Sequence, residues 1–191
     1  MGAGPLLIGI SGLSGAGKST ATTMLAALSG GKSVYVGQVV LDEIKALGLE
    51  QTRENERRVR LDIREREGGA GLLRRKRNEI LSALANGQSV FVDAILSPDE
   101  WFELEMMHKV GTRLLIMDAD FETRAARLTA RNTRPFSRDD LIRRDDTEQA
   151  ALRIEDLDKD ASIRIENIGP LDHLERCLAS FLHNIELPRL A

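Results

Sequence analysis

Short apolar runs alternate along this chain with longer segments of helical periodicity. The first run is Leu6-Leu7-Ile8-Gly9-Ile10, and four more lie at residues 33–36, 89–93, 113–117 and 162–166. Continuous, mostly β-branched runs of this length are typical of strands that are buried on both faces. Five such strands with helices between them predict an α/β fold, in which helices cover both faces of a parallel sheet.

The helical segments have start signals and apolar faces of their own. Ser97-Pro98-Asp99-Glu100 combines an N-cap, a first-turn proline and an acidic third residue, which predicts a capping box. Residues 137–140 have a similar pattern. A last helix at 171–185 is predicted to dock on the sheet through one apolar face. That face contains Leu171, Leu174, Leu178, Phe181, Leu182 and Ile185.

Two segments interrupt the alternation. About fifty residues separate the second strand from the third, and we predict helices at 39–47 and 52–67, a glycine break at 68–71 and a further core helix. The other segment is a short polar insertion at 133–137. Neither has the composition of a linker, and residues 1–191 are predicted to form one domain.

A glycine-rich segment follows the first strand and precedes a predicted helix at 20–28. Gly12-Leu13-Ser14-Gly15-Ala16-Gly17-Lys18-Ser19 fits the P-loop pattern G-x-x-x-x-G-K-[ST]. Its glycines let successive N–H groups point at a phosphate, Lys18 would reach the β- and γ-phosphates, and the Ser19 hydroxyl would bind Mg²⁺. The pattern therefore predicts binding of ATP with Mg²⁺. The predicted cofactor-binding residues are Gly12, Ser14, Gly15, Ala16, Gly17, Lys18, Ser19 and Thr20.

Asp93 ends the third predicted strand. An acidic residue at the carboxyl end of a strand beside a P-loop can bind Mg²⁺ or accept a proton from an attacking hydroxyl. The alternative is a structural role in which Asp93 caps a turn. We favour the first interpretation, with Ser19 and Asp93 as metal ligands, because a P-loop requires a metal ligand nearby.

Arginines cluster in and after the helix that follows the fourth strand. Phosphoryl transfer spreads negative charge over the equatorial oxygens, and planar guanidinium groups stabilise that charge. The alternative is a solvated face on which some of these arginines pair with the aspartates at 139, 140, 145 and 146. The cluster contains Arg124, Arg127, Arg131, Arg134, Arg138, Arg143 and Arg144. The predicted catalytic residues are Lys18, Asp93, Arg127, Arg131, Arg134 and Arg144.

A second stripe, Arg53, Arg57, Arg60 and Arg64, lies on the predicted helix at 52–67. Such a stripe would bind an anionic phosphate acceptor, and Arg53, Arg57 and Arg60 are the predicted acceptor-binding residues. It would equally form a solvated face, because glutamates precede arginines at i,i+4 spacing on this helix.

Composition limits the partners and the compartment. The chain has 191 residues, 42% hydrophobic and 30% charged, with a formal net charge of −3. This charge gives no reason to expect nucleic acid or an anionic membrane as a partner. The single cysteine, the scattered histidines and the lack of a leader or long apolar span favour a cytoplasmic protein without a disulfide or transition-metal site.

With the P-loop, Asp93, the arginine helix and the polar insertion in this order, the chain resembles the P-loop nucleotide kinases. That group contains the adenylate and cytidylate kinases and dephospho-CoA kinase, and this chain is most similar to small relatives of dephospho-CoA kinase. The similarity extends over nearly the whole length. Corresponding segments lie at 34–40, 92–95, 124–131, 143–146 and 160–167.

The resemblance implies a three-layer P-loop NTPase fold with a five-stranded parallel sheet in the order 2-3-1-4-5. It also implies an acceptor-binding subdomain at 37–71 and a short lid at 132–138. The expected function is Mg-ATP-dependent phosphoryl transfer to a nucleotide or nucleotide-like small molecule, by a monomer or a homodimer.

The acceptor side departs from the group's pattern. The group often has an aspartate at the position of Gln38, an arginine at that of Leu41 and, among nucleoside monophosphate kinases, an arginine at that of Leu96. Two alternatives therefore stay open: a kinase of another small metabolite, and a nucleotide-binding regulator with a degenerate acceptor site. A GTPase switch is disfavoured because the chain lacks an Asn-Lys-x-Asp element, although GTP as phosphate donor stays possible.

Overall fold

A parallel sheet of five strands lies at the centre of the computed structural model, which describes residues 4–109, 111–131 and 135–186. The strands are β1 (Leu7–Ser11), β2 (Lys32–Tyr35), β3 (Val90–Asp93), β4 (Thr112–Asp118) and β5 (Ile163–Glu166). They are hydrogen-bonded in the order β2-β3-β1-β4-β5, and every pairing is parallel. This confirms the predicted order.

Helices fill the connections between the strands. They are α1 (Lys18–Ser29), α2 (Gln38–Ala46), α3 (Arg53–Glu67), α4 (Gly71–Arg75), α5 (Arg77–Ala85), α6 (Pro98–Met107), α7 (Phe121–Thr129), α8 (Arg138–Asp146) and α9 (Leu171–Glu186). A π-turn at Thr147–Ala151 and a 3₁₀ helix at Ile154–Asp160 follow α8. The core helix expected after the glycine break is two short helices, because a turn at Lys76 separates α4 from α5.

The two faces of the sheet bury two separate apolar clusters. Along β1, Leu7 joins the cluster beneath α2 to α6, whereas Ile8 and Ile10 join the cluster beneath α1 and α9. Successive strand residues point to opposite faces, so a strand covered on both sides must be apolar throughout. This explains the continuous apolar runs in the sequence.

Two local expectations need correction. Leu171 was expected in the docking face of α9, but it is 64% exposed, because it is the first residue of the helix and precedes the turns that reach the core. Ser97 caps α6 by accepting a hydrogen bond from the Glu100 N–H at 3.3 Å. The predicted capping box stays incomplete, because the Glu100 carboxylate accepts from the Leu96 N–H instead. The box at Ser137 and Asp140 forms as predicted.

Within the described ranges, none of the helices combines the length and the apolar character that crossing a bilayer requires.

Candidate active site

The P-loop packs tightly against the ends of β4 and β5. Gly12 has φ 130°, and a Cβ there would lie 2.1 Å from the Met117 carbonyl oxygen. Gly17 has φ 100°, and a Cβ there would lie 2.2 Å from Asn167 Nδ2. The same Nδ2 donates a hydrogen bond to the Ala16 carbonyl at 2.9 Å. Positive φ and close approach both exclude a side chain at these two positions, so the glycines fix the shape of the loop.

Lys18 begins α1, and its side chain folds back over the loop. Its Nζ donates to the carbonyl oxygens of Gly12 at 2.6 Å and Leu13 at 3.0 Å. Burial lowers the pKa of Lys18, while the nearby Glu148 and Asp93 carboxylates act in the opposite direction. The ammonium therefore lies inside the loop, in the position from which it can bind the terminal phosphates of a nucleotide.

Ser19 and Asp93 come together beside Lys18. Ser19 Oγ donates to Asp93 Oδ2 at 2.5 Å, and Asp93 is buried. The sheet accounts for this contact, because Asp93 at the end of β3 pairs with Ile10 at the end of β1, which leads into the P-loop. A hydroxyl and a carboxylate are hard oxygen ligands, and Mg²⁺ binds to one or two such groups together with substrate phosphates and water. These residues fit Mg²⁺.

A cleft of about 200 Å³ opens above the P-loop. Its walls contain five cationic side chains and three carboxylates, so its net charge is positive. The cations are Lys18, Arg60, Arg64, Arg131 and Arg144, and the carboxylates are Asp93, Glu100 and Glu148. The structure thus places four of the predicted site cations (Lys18, Arg60, Arg131 and Arg144) around one cavity, together with Arg64.

The arginines after β4 divide into two groups. Arg131 and Arg144 line the cleft, whereas Arg127 does not. Arg124 is buried and forms a bidentate pair with Asp145, at 2.9 and 2.7 Å, and it also donates to the Ser14 carbonyl. Arg124 therefore joins α7 and α8 to the P-loop and has the structural role that the solvated-face alternative assigned to part of the cluster. Arg134 lies outside the described residues, as do positions 132 and 133 of the predicted lid.

The arginine stripe on α3 is also divided. Arg60 and Arg64 line the cleft, while Arg57 is exposed and lies outside it. Arg53 pairs with Asp140 at 2.7 Å and stacks 4.2 Å above the Phe136 ring, so it joins α3 to the segment that precedes α8. The structure therefore brings only one of the three predicted acceptor-binding arginines, Arg60, into the cleft.

The two cleft arginines of α3 have few anionic partners. No ion pair joins Arg60 to a carboxylate within the described part of the chain, and burial, Arg144 and Arg64 lower the pKa of Arg60 to about 10. Arg64 donates to Glu100 Oε1 at 3.2 Å, and its buried Nε has no hydrogen-bond partner among the described residues. Glu100 also accepts from the Leu96 N–H at 2.8 Å. The Arg64 guanidinium is thus held near Leu96.

Glu148 is the site residue that sequence reasoning missed. It lies in the π-turn after α8 and is 1% exposed. Its carboxylate accepts from the Ser14 N–H and the Ser14 hydroxyl, each at 3.1 Å, and from Arg144 Nε at 2.6 Å. Burial alone raises the pKa of Glu148, but Lys18 and Arg144 hold it below the ordinary value. The i,i+4 spacing of Arg144 and Glu148 indicates a pair, but no local pattern places that pair on the P-loop.

Comparison with known proteins agrees with this geometry. The family model described as "AAA domain" matches residues 8–163, which include the P-loop and β1 to β4. A UPF0200 protein of Aeropyrum pernix is 28% identical over 172 residues, which cover 89% of this chain and 88% of that protein. A UPF0200 protein of Hyperthermus butylicus is 34% identical over 131 residues, 68% of this chain and 67% of that protein.

Solved structures share the fold over nearly the whole chain. TT1252 from Thermus thermophilus has a TM-score of 0.65 at 25% identity and covers 95% of this chain and 98% of its own. A sugar kinase from Janibacter sp. HTCC2649 has a TM-score of 0.64 at 18% identity, and the match covers 96% of this chain and 99% of the kinase. Shikimate kinase from Bacteroides thetaiotaomicron has a TM-score of 0.57 at 13% identity, and the match covers 95% of this chain and 99% of that kinase.

The sheet order, the P-loop between β1 and α1 and these likenesses together establish the fold of the P-loop kinases. The chain therefore belongs to the AAA domain family of P-loop proteins and is a member of the UPF0200 group.

Proposed function

We propose that this protein is a Mg-ATP-dependent phosphotransferase that acts on a hydroxyl of a small anionic acceptor. The observation that supports this most directly is the single cleft in which the P-loop, the Ser19–Asp93 pair and four arginines meet. A P-loop alone indicates only nucleotide binding. Guanidinium groups on the opposite walls add the means to stabilise a transferring phosphoryl group and to hold a second anion.

Each group in the cleft has a defined task in this reaction. The P-loop N–H groups hold the phosphates of ATP, and Lys18 exchanges its bonds to the Gly12 and Leu13 carbonyls for bonds to phosphate oxygens. Ser19 and Asp93 would hold Mg²⁺, which neutralises phosphate charge when bound. Arg131 and Arg144 stabilise the charge on the transferring group.

Arg60 and Arg64 make an anion the favoured acceptor. Both are held in the wall of the cleft, and Arg60 lacks an ion-pair partner among the described residues. The phosphate of a nucleotide-like acceptor, or the carboxylate of a hydroxy acid, would bind to these arginines. The apolar Leu96, which stands where related kinases have an arginine, does not prevent the cleft from binding an anionic acceptor, because Glu100 holds the Arg64 guanidinium beside it.

A screen for the acceptor tests the proposal. Melting temperature would be measured with Mg²⁺ and a non-hydrolysable ATP analogue, against nucleoside monophosphates, dephospho-CoA, shikimate and gluconate. Compounds that raise the melting temperature would then enter an ADP-release assay with ATP. We expect ADP release that depends on one acceptor and disappears in Lys18→Ala. Failure of ATP to bind would refute the proposal.

The apolar Leu96 side chain in the cleft wall favours one other function, a nucleotide-binding regulator. In that case the protein would bind ATP with Mg²⁺, but no acceptor in a broad screen would produce ADP. The same two assays therefore separate the two functions.

A further inference from the structure

The Glu148 carboxylate occupies the part of the P-loop that binds anions. Its carboxylate accepts hydrogen bonds from the Ser14 N–H, the Ser14 hydroxyl and Arg144, and Ser14 and Arg144 are among the residues predicted above to bind or act on the nucleotide phosphates. Glu148 and Lys18 line the same cleft, and the Glu148 carboxylate acts to raise the pKa of Lys18 against the effect of burial. Since Lys18 binds the β- and γ-phosphates in P-loop proteins, Glu148 lies at the terminal-phosphate end of the cleft.

This arrangement has a physical cause in the charges around Glu148. Lys18 and Arg144 line the same cavity, and the charge of Arg144 lowers the pKa of Lys18. The buried Glu148 carboxylate offsets that repulsion between like charges and accepts a hydrogen bond from the Ser14 N–H. Glu148 thus takes the place of a bound anion.

We propose that Glu148 is a tethered anion that occupies the terminal-phosphate position and must leave it when a nucleoside triphosphate binds. This inference rests on nucleotide binding at the P-loop, as in the proposed function. Carboxylate and phosphate oxygens cannot both accept from the same Ser14 N–H, and their negative charges repel each other. Binding therefore breaks the contacts between Glu148 and Ser14.

Displacement of Glu148 has consequences beyond the P-loop. The Arg144 guanidinium loses its carboxylate partner and becomes available to the γ-phosphate. Glu148 belongs to the π-turn Thr147–Ala151, which continues directly from α8, so its withdrawal moves this turn. Nucleotide entry is thereby coupled to the end of α8. The apparent affinity for nucleotide is reduced by the fraction of molecules in which Glu148 occupies the site.

Nucleotide-binding calorimetry on the full chain tests this proposal. The ligand is a non-hydrolysable ATP analogue with Mg²⁺, and the proteins are wild type, Glu148→Gln, Glu148→Asp and Glu155→Gln. Glu148→Gln removes the competing charge and should lower Kd by about tenfold. Glu148→Asp keeps the charge but is one methylene too short to span Ser14 and Arg144, so a smaller decrease is expected. Glu155→Gln, an exposed change of equal charge, should leave Kd unchanged.

The outcomes separate this inference from the proposed function. If wild type binds the nucleotide and neither Glu148 variant binds it more tightly, the tethered-anion proposal is wrong and Glu148 instead positions Arg144. If no protein in the series binds the nucleotide, the proposed function and this inference both fail. Glu148→Asp also preserves a buried carboxylate, so the test stands if Glu148→Gln does not fold.

Discussion

The Lys18 side chain lines the cleft and is hydrogen-bonded to two carbonyl oxygens of the P-loop. Lys18→Ala should therefore leave the melting temperature nearly unchanged. Phosphoryl transfer should fall by about 10²-fold or more, because the ammonium acts on charge that develops in the transition state. ADP release with the identified acceptor measures the loss. Turnover equal to that of wild type would contradict the role assigned to the P-loop.

Asp93 is buried against Ser19, and its charge is the property that metal binding requires. Asp93→Asn keeps the size of the side chain and its ability to accept from Ser19. We expect a fall in rate that greatly exceeds any loss in nucleotide affinity, because the P-loop N–H groups hold the phosphates independently. The Mg²⁺ dependence of both quantities is the measurement. If the rate and its dependence on Mg²⁺ concentration were both the same as in wild type, Asp93 would have only a structural role as a turn cap.

Arg60 and Arg57 form a matched pair on one helix, since Arg60 lines the cleft and Arg57 is exposed. Arg60→Ala should raise the KM for the acceptor by about tenfold or more, the usual effect of losing a charge-assisted hydrogen bond. The KM for ATP should change little. Added salt should raise the acceptor KM of wild type.

Arg57→Ala is the control for this experiment, and its kinetics and stability should match wild type within about 0.5 kcal/mol. If Arg60→Ala is as silent as Arg57→Ala, Arg60 does not hold the acceptor.

Single residues were predictable where local pattern determines their position. The P-loop and the strand-end Asp93 belong to short continuous segments, so the sequence indicates both. Arg64 with Glu100 and Ser14 with Glu148 are 36 and 134 residues apart. The folded chain creates these contacts by bringing α3 near α6 and the π-turn onto the P-loop. The periodicity of the sequence does not indicate which distant segments meet in this way.

Among the elements, α7 and α8 are joined to the P-loop by one buried ion pair. The Arg124 and Asp145 side chains are only 5% and 11% exposed. Arg124→Ala would leave Asp145 buried without its partner, which typically costs about 3–5 kcal/mol of unfolding free energy. Urea denaturation measures this loss. Arg176→Ala, which breaks the exposed pair with Asp172 on α9, should give no measurable change.

The strands were predicted to within about one residue because burial on both faces requires continuous apolar runs. The segment between α8 and β5 was less accessible to prediction. Its π-turn and 3₁₀ helix are only five and seven residues long, which is too short for a clear periodic pattern. Buried side chains at Glu148, Ile154 and Leu157 hold them in place. The break at Lys76 also lacks a glycine or proline signal.

For the whole molecule, the sheet order followed from the resemblance to P-loop kinases and is confirmed. The side chains that we propose to hold the acceptor were not predictable as a set, because this part of the cleft combines residues from α3, α6 and the end of β3 that only the folded chain brings together. The division of α3 into Arg60 and Arg64, which line the cleft, and the exposed Arg57 likewise depends on how the helix packs against α2 and α4.

The contact between Asn167 and the P-loop has a consequence for protein synthesis. The amide that supports the Ala16 carbonyl is 151 residues later in the chain, so it leaves the ribosome well after the loop does. A nascent chain that ends before β5 contains the complete glycine pattern without this support. The P-loop therefore acquires its final shape only after β5 and Asn167 have been synthesised, and we expect a chain that contains Asn167 to bind nucleotide more tightly than one that stops before it.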